Sequence, residues 1–274
     1  MKKNTLDTLK DLAAVKTLCN EAEVELDAET ISLSDANTDY LWDTYGYSVL
    51  MESNGVSKET FKQYMLDTYL MEAYFEHIYG KGGEKEIAAD QISKQLTDNY
   101  VLANMLEVSF TSLGDEEKAD KQNQFTAYEK ALKEGTKTFE EIYLEYNEIS
   151  AEDHTHEEAE EGESAPQDHH ATVLGNEETS YASDHFEAAK AMAVGEVKII
   201  TLEDNAGLVL LVKKDIAADP YYIEEFDMML RQEIVGEDYN DDIAEYGEKL
   251  ECNVNTSSTK QFKVKKIEYP ETTY

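Results

Sequence analysis

Residues 171–220 read ATVLGNEETSYASDHFEAAKAMAVGEVKIITLEDNAGLVLLVKKDIAADP. Leu174-Gly175 marks a corner, and a short helical run carrying Phe186 follows it and ends at Gly195. Two strongly apolar segments come next, 196–202 and 208–212, separated by Glu203-Asp204-Asn205-Ala206-Gly207. Those five residues predict a hairpin loop, since Asn and Gly accept the positive φ that a tight reversal demands. Asp219-Pro220 then predicts a helix start, with proline where its missing amide costs nothing.

Upstream, residues 101–110 alternate with period two. Leu102, Leu106, Val108 and Phe110 fall on one face, Ala103, Met105, Glu107 and Ser109 on the other, which predicts a strand. Acidic residues 115–117 suit a helix N-terminus, and Phe125, Tyr128 and Leu132 mark its buried side up to Gly135. Thr138 and Glu141 have capping-box spacing ahead of Phe139, Ile142, Tyr143 and Tyr146, which predicts a second helix.

The first hundred residues follow a helical period instead. Leu6, Leu9, Leu12, Ala13, Leu18 and Cys19 predict an amphipathic helix over 4–24. Tyr40, Leu41, Trp42, Tyr45, Tyr47, Val49 and Leu50 predict a second over 27–53, closed by Asn54-Gly55. Ser57 occupies an N-cap position for a third helix, whose Phe61, Tyr64, Met65, Tyr69, Met71, Tyr74, Phe75, Ile78 and Tyr79 run to Gly80. This apolar load is too wide for one stripe, so it predicts core packing on several sides, while an open Tyr and Met groove would suit unfolded chains. Another helix is expected over 84–99. Beyond Pro220 a stripe of Ile223, Phe226, Leu230 and Ile234 resumes after Gly236 with Ile243, Tyr246 and Leu250, and residues 260–267 alternate like an edge strand guarded by lysine.

The 274 residues carry a formal charge of -36, with Arg231 the only arginine. Such a field argues against nucleic acid and anionic membrane and favours solubility or cationic clients. No apolar run approaches the roughly 18 residues needed to span a bilayer. Met1-Lys2-Lys3-Asn4 begins like an export signal but lacks the apolar region that should follow, so a mature region with an initiating Met is expected. Cys19 and Cys252 permit one bridge and fit no zinc ribbon.

Residues 151–170, AEDHTHEEAEEGESAPQDHH, break both periods and hold four of the six histidines, His154, His156, His169 and His170, among carboxylates. Imidazole with carboxylate is ligand chemistry for zinc, copper or nickel. Ordered ligands are a condition for such a site, so a mobile polar insertion without metal is the expectation. No cofactor motif, phosphate loop, nucleophile context or EF-hand is present.

Leu174-Gly175, Phe186-Glu187-Ala188-Ala189, Gly195-Glu196-Val197 and Gly207-Leu208-Val209, in this order, resemble the C-terminal half of a parvulin-type peptidyl-prolyl isomerase domain. The layout of residues 56–100 resembles the helical chaperone part of secreted foldases of the SurA and PrsA type. The resemblance implies an α+β fold: a mostly helical domain from both termini (1–99 and 218–274) with a small mixed domain inserted at 100–217. It also implies that the C-terminal helix returns to the N-terminal ones, which would bring Cys19 and Cys252 near one another. Parvulins frame a proline pocket with two histidines, a Cys or Asp, and a Phe. Carried over, these fall at Met105, Val209, Ile149 and Phe186, so only the Phe is kept and no catalytic residue is expected. The implied function is an extracytoplasmic foldase or holdase, secreted or lipid-anchored, that binds unfolded or extended polypeptide with weak or no isomerase turnover. Two alternatives stay open: a cell-exterior protein whose acidic His-rich insertion captures metal or a cationic partner, and an active isomerase.

Overall fold

The computed structural model describes residues 2–150, 154, 165–251 and 253. The strand expected over 260–267, Cys252, and most of the 151–170 insertion, His156 included, lie outside them. Two compact units divide the chain, Met1–Ile87 with Arg231–Tyr274, and Ala88–Leu230. The fold is α+β and mostly helical, with a helical unit drawn from both ends of the chain.

The helical unit begins with α1 (Lys2–Ala22), α2 (Ala28–Asp39), a π-helical turn (Tyr40–Thr44), α3 (Tyr47–Ser53) and α4 (Lys58–Tyr79). The single helix expected over 27–53 is therefore broken. Tyr45 N–H reaches back five residues to the Tyr40 carbonyl, at 3.2 Å. Gly46 then takes φ +74°, a left-handed conformation that a side chain would disfavour. The break turns Trp42 inward, 5.7 Å from the Phe61 ring. Ser57 caps α4 through its hydroxyl, which accepts from Thr60 N–H at 3.3 Å. Residues 84–88, expected as helix, instead tie back to the end of α4 through Lys85 N–H to Ile78 O, at 2.8 Å.

The second unit runs α5 (Ala89–Asn99), β1 (Tyr100–Ser109), α6 (Asp115–Glu134), α7 (Phe139–Tyr146), β2 (Ala171–Gly175), α8 (Phe186–Lys190), β3 (Val197–Thr201) and β4 (Gly207–Lys214), and ends in the first residues of α9 (Pro220–Lys249). The expected hairpin is present as β3 and β4. Its positive φ values fall on Asp204 and Asn205, whereas Gly207 is needed because a Cβ there would lie 2.2 Å from the Val108 carbonyl oxygen.

From Arg231 on, α9 belongs to the helical unit. Its Tyr239 ring meets Phe75 edge-on at 5.1 Å and its hydroxyl donates to the Met71 carbonyl at 3.0 Å. Arg231 is buried, and its guanidinium donates to the Tyr79 carbonyl at 2.7 Å, satisfying a helix-end acceptor that water does not reach. Cys19 is a free, buried thiol whose pKa burial pushes up to about 11.

The sheet of the second unit has the order β2-β1-β4-β3 with every pairing antiparallel. Because side chains alternate, β1 feeds two cores. Leu106 and Val108 pack with Phe125 and Tyr128 of α6 and Phe139 and Ile142 of α7. Val101 and Ala103 pack on the opposite face with Leu174, Val209, Leu211 and the α8 residues Phe186, Ala189 and Met192.

Candidate functional site

Two tight corners place α8 on the sheet. Gly175 N–H donates to the Tyr181 carbonyl at 2.6 Å, and a Cβ on Gly175 would meet Thr179 Oγ1 at 1.9 Å, so only glycine fits the approach. Gly195 takes φ +79° and donates to the Lys213 carbonyl at 2.8 Å, closing the turn into β3. Between them, Lys213 Nζ donates to the Lys190 and Met192 carbonyls at 2.9 and 2.7 Å. An ammonium at these carbonyls offsets the negative end of the helix. Burial and the neighbouring Lys190 charge push the Lys213 pKa down.

Held in this way, Phe186 is buried at the start of α8, in one cluster with Val209 and the half-buried Met105. On the strands Met105 faces Leu211, and Val209 faces Glu107. Ile149 belongs to neither core cluster. It is half-buried just past α7, where its N–H donates to the Leu144 carbonyl at 2.9 Å. The structure thus brings Met105, Phe186 and Val209 together and leaves Ile149 outside the group.

At the margin of this cluster lies a polar pair that residue-by-residue reading missed. His185, which the sequence offers as a surface residue next to Phe186, has a side chain only 14% exposed, with Nε2 3.5 Å from Glu107 Oε2. Its backbone N–H is fixed by the Ser183 hydroxyl at 3.2 Å. The available signal was position: Glu107 follows Met105 by two on the same strand face, and His185 immediately precedes Phe186. The two positions where histidines are implied by resemblance carry no titratable group, so proton transfer has no donor there. Phe186 and Val209 are buried and Met105 is half-buried, so the group is apolar packing bordered by one carboxylate and one imidazole.

The helical unit offers a second kind of surface. Tyr40, Tyr45, Tyr47 and Val49 are 54, 68, 36 and 56% exposed, and Tyr64 on α4 is 49% exposed. Tyr40 and Tyr45 meet edge-on at 5.6 Å, and Tyr47 lies 5.7 Å from Phe61. The left-handed Gly46 sets these rings at the join between the π turn and α3. In the same unit a cleft of about 470 Å³ runs along α4 and α9, with Met71, Phe75 and Tyr239 among Glu72, Gln232 and Glu237. The broad aromatic load of α4 thus divides between a core, formed by Phe61, Phe75 and Tyr79, and surface positions such as Tyr64.

No family model matches the chain, and no curated protein matches it. Among solved structures it is similar to foldase protein PrsA from Streptococcus pneumoniae, at 15% identity and a TM-score of 0.49, with 94% of this chain and 88% of that one covered. It is similar also to foldase protein PrsA from Lactococcus lactis, at 15% identity and a TM-score of 0.43, covering 92% of this chain and 86% of that one. A peptidylprolyl isomerase, PrsA, from Bacillus anthracis matches at 14% identity and a TM-score of 0.29, over 90% of this chain and 100% of that one. Among the described residues no helix is long and apolar enough to cross a membrane.

Proposed function

We propose that the chain is an extracytoplasmic protein-folding factor of the PrsA and SurA type that holds unfolded polypeptides, with a parvulin-like unit that is weak or silent as a prolyl isomerase. The observation that carries this reading is the exposed group of Tyr40, Tyr45, Tyr47 and Val49. Aromatic and branched side chains left together in water mark a surface that gains by covering itself. Tyrosine serves such a surface well, because its ring buries apolar area while its hydroxyl accommodates varied backbone partners. A charge of -36 adds attraction for basic segments of a client and keeps the holder itself dispersed.

Apolar residues at Met105 and Val209 support the second half of the reading. Prolyl isomerisation faces a barrier of about 20 kcal/mol. A site lowers it by binding the twisted amide better than the planar one, which calls for polar groups at the reacting bond. Met105 and Val209 supply none, and of the group the half-buried Met105 is left as a contact for peptide, backed by the buried Phe186 and Val209. The proposal keeps Ile149 as a contact from the end of α7.

Light scattering from an aggregating, chemically unfolded client tests the reading. The full chain should suppress scattering, and the Tyr40→Ser, Tyr45→Ser, Val49→Ser variant should suppress it several-fold less. Equal suppression by both, or none by the parent chain, would remove the basis for the proposal.

A further inference from the structure

Glu140, His154 and His170 are separated by long stretches of sequence, yet each presents one ligand atom within 4.8 Å of those of the other two. The two imidazoles lie stacked, with centroids 5.2 Å apart and planes 13° from parallel. His170 in turn lies 4.5 Å from the Tyr143 ring. These positions are built. Glu140 occupies the first turn of α7, which Thr138 and Glu141 cap reciprocally through Thr138 N–H to Glu141 Oε2 at 2.7 Å and Glu141 N–H to Thr138 Oγ1 at 3.2 Å. His154 N–H donates to the Ser150 carbonyl at 3.1 Å. His170 N–H donates to Asp168 Oδ1 at 3.0 Å, and Asp168 is tied to the sheet by Asn104 Nδ2 at 3.1 Å and Lys214 Nζ at 2.6 Å. Asn104 is fully buried in β1, so the turn carrying His170 hangs from the rigid centre of the unit.

We propose that Glu140, His154 and His170 form a binding site for one borderline divalent transition cation, of which Zn²⁺ is the representative. Two imidazole nitrogens and one carboxylate oxygen are a donor set for such an ion, whereas Ca²⁺ and Mg²⁺ require more oxygen ligands than the three residues provide. Bonds of about 2.0–2.1 Å in a tetrahedron set ligand atoms roughly 3.3 Å apart. Small side-chain rotations bring the present spacing to that value, because Glu140 is exposed and both histidines are only half-buried. Alongside runs a cleft of about 480 Å³ lined by Glu140, Asp168, His169 and His170, which gives an ion access from solvent. The bound ion ties the two ends of the 154–170 segment to α7. This is a role separate from client holding and independent of it.

Isothermal titration of the full chain, stripped with chelator and held in excess Ca²⁺, tests the site with ZnCl₂. One Zn²⁺ per chain is expected. The His154→Ala, His170→Ala variant should lose at least the ~10–100-fold in affinity that even the supporting partners of a metal ligand are worth. Glu140→Gln should weaken binding as well, and His156→Ala with His169→Ala should change it by less than about 3-fold, a small fraction of a ligand's worth. Circular dichroism that matches the parent's shows that each variant is folded. Failure of the parent chain to bind in the presence of Ca²⁺ overturns the assignment. So does unchanged binding by the His154 and His170 variant, or an equal loss in the His156 and His169 control.

Discussion

His185 Nε2 lies 3.5 Å from Glu107 Oε2, and Glu107 stands on β1 directly opposite Val209 of β4. A polar contact therefore borders the cluster that holds Met105, Phe186 and Val209. With the Glu107 side chain 45% exposed, water competes for the carboxylate. The pair is accordingly worth no more than about 1 kcal/mol. Glu107→Gln should leave the urea midpoint almost unchanged and client holding intact. A loss of several-fold in holding would make the pair part of the binding surface.

Phe186 is buried among Val101, Ala103, Leu174, Met192 and Val209. Its truncation to alanine should cost about 3–5 kcal/mol in the second unit, and Phe186→Leu much less. Because the chain has two compact units, one global transition is not assumed, and amide exchange across β1 and β4 is the suitable readout. A cost below about 1 kcal/mol would mean that the ring lines an open hollow and is not part of a filled core.

Two glycines should respond with opposite signs. Gly207→Ala drives a Cβ to within 2.2 Å of the Val108 carbonyl oxygen, so the β1–β4 pairing must spread. About 1–3 kcal/mol of destabilisation is expected. Gly236 lies inside α9, where an added methyl would have nothing within 4 Å, so Gly236→Ala should stabilise by up to about 1 kcal/mol through helix propensity alone. Thermal melts of the two variants separate the effects.

The hairpin, the first strand, the α4 cap and the α7 capping box were all legible because each is a local device: an alternation, a turn residue, or a hydroxyl three residues from its amide. Other features depend on partners distant in sequence. The break at Gly46 accompanies the packing of Trp42 on Phe61, a partner that no window over 27–53 contains. β2 is five residues long, too short for its alternation to stand out, and is a strand because it pairs with β1. Ile149 fell outside the cluster because its placement crossed the turn after α7, where Glu148 takes φ +56°. Glu140, His154 and His170 converge only once α7 and β2 are placed. The polar character of residues 151–170 is a matter of composition, and composition does not locate ligands.

Cys19 yields a prediction with a defined pH window. Burial raises its folded pKa to about 11 from the ordinary thiol value of 9.0. The protonated form is thus favoured in the fold, and the unfolded chain releases its proton first. This contribution to stability is complete below pH 9, falls as pH climbs from there, and has been lost by about pH 11. In a Cys252→Ser background, Cys19 should react with a thiol reagent at neutral pH only as fast as the helical unit opens. Immediate labelling would contradict its burial.

The proposed function rests on exposed rings at the join of the π turn and α3 as the hold on unfolded chains. Fluorescence anisotropy of a labelled, permanently unfolded basic polypeptide, titrated with the full chain and with its Tyr40→Ser, Tyr45→Ser, Val49→Ser variant, measures it most directly. Saturable binding by the parent and about 10-fold weaker binding by the variant are predicted, the scale on which a few surface aromatics dominate an interface. Binding of equal strength by the two proteins, with both folded, would contradict it.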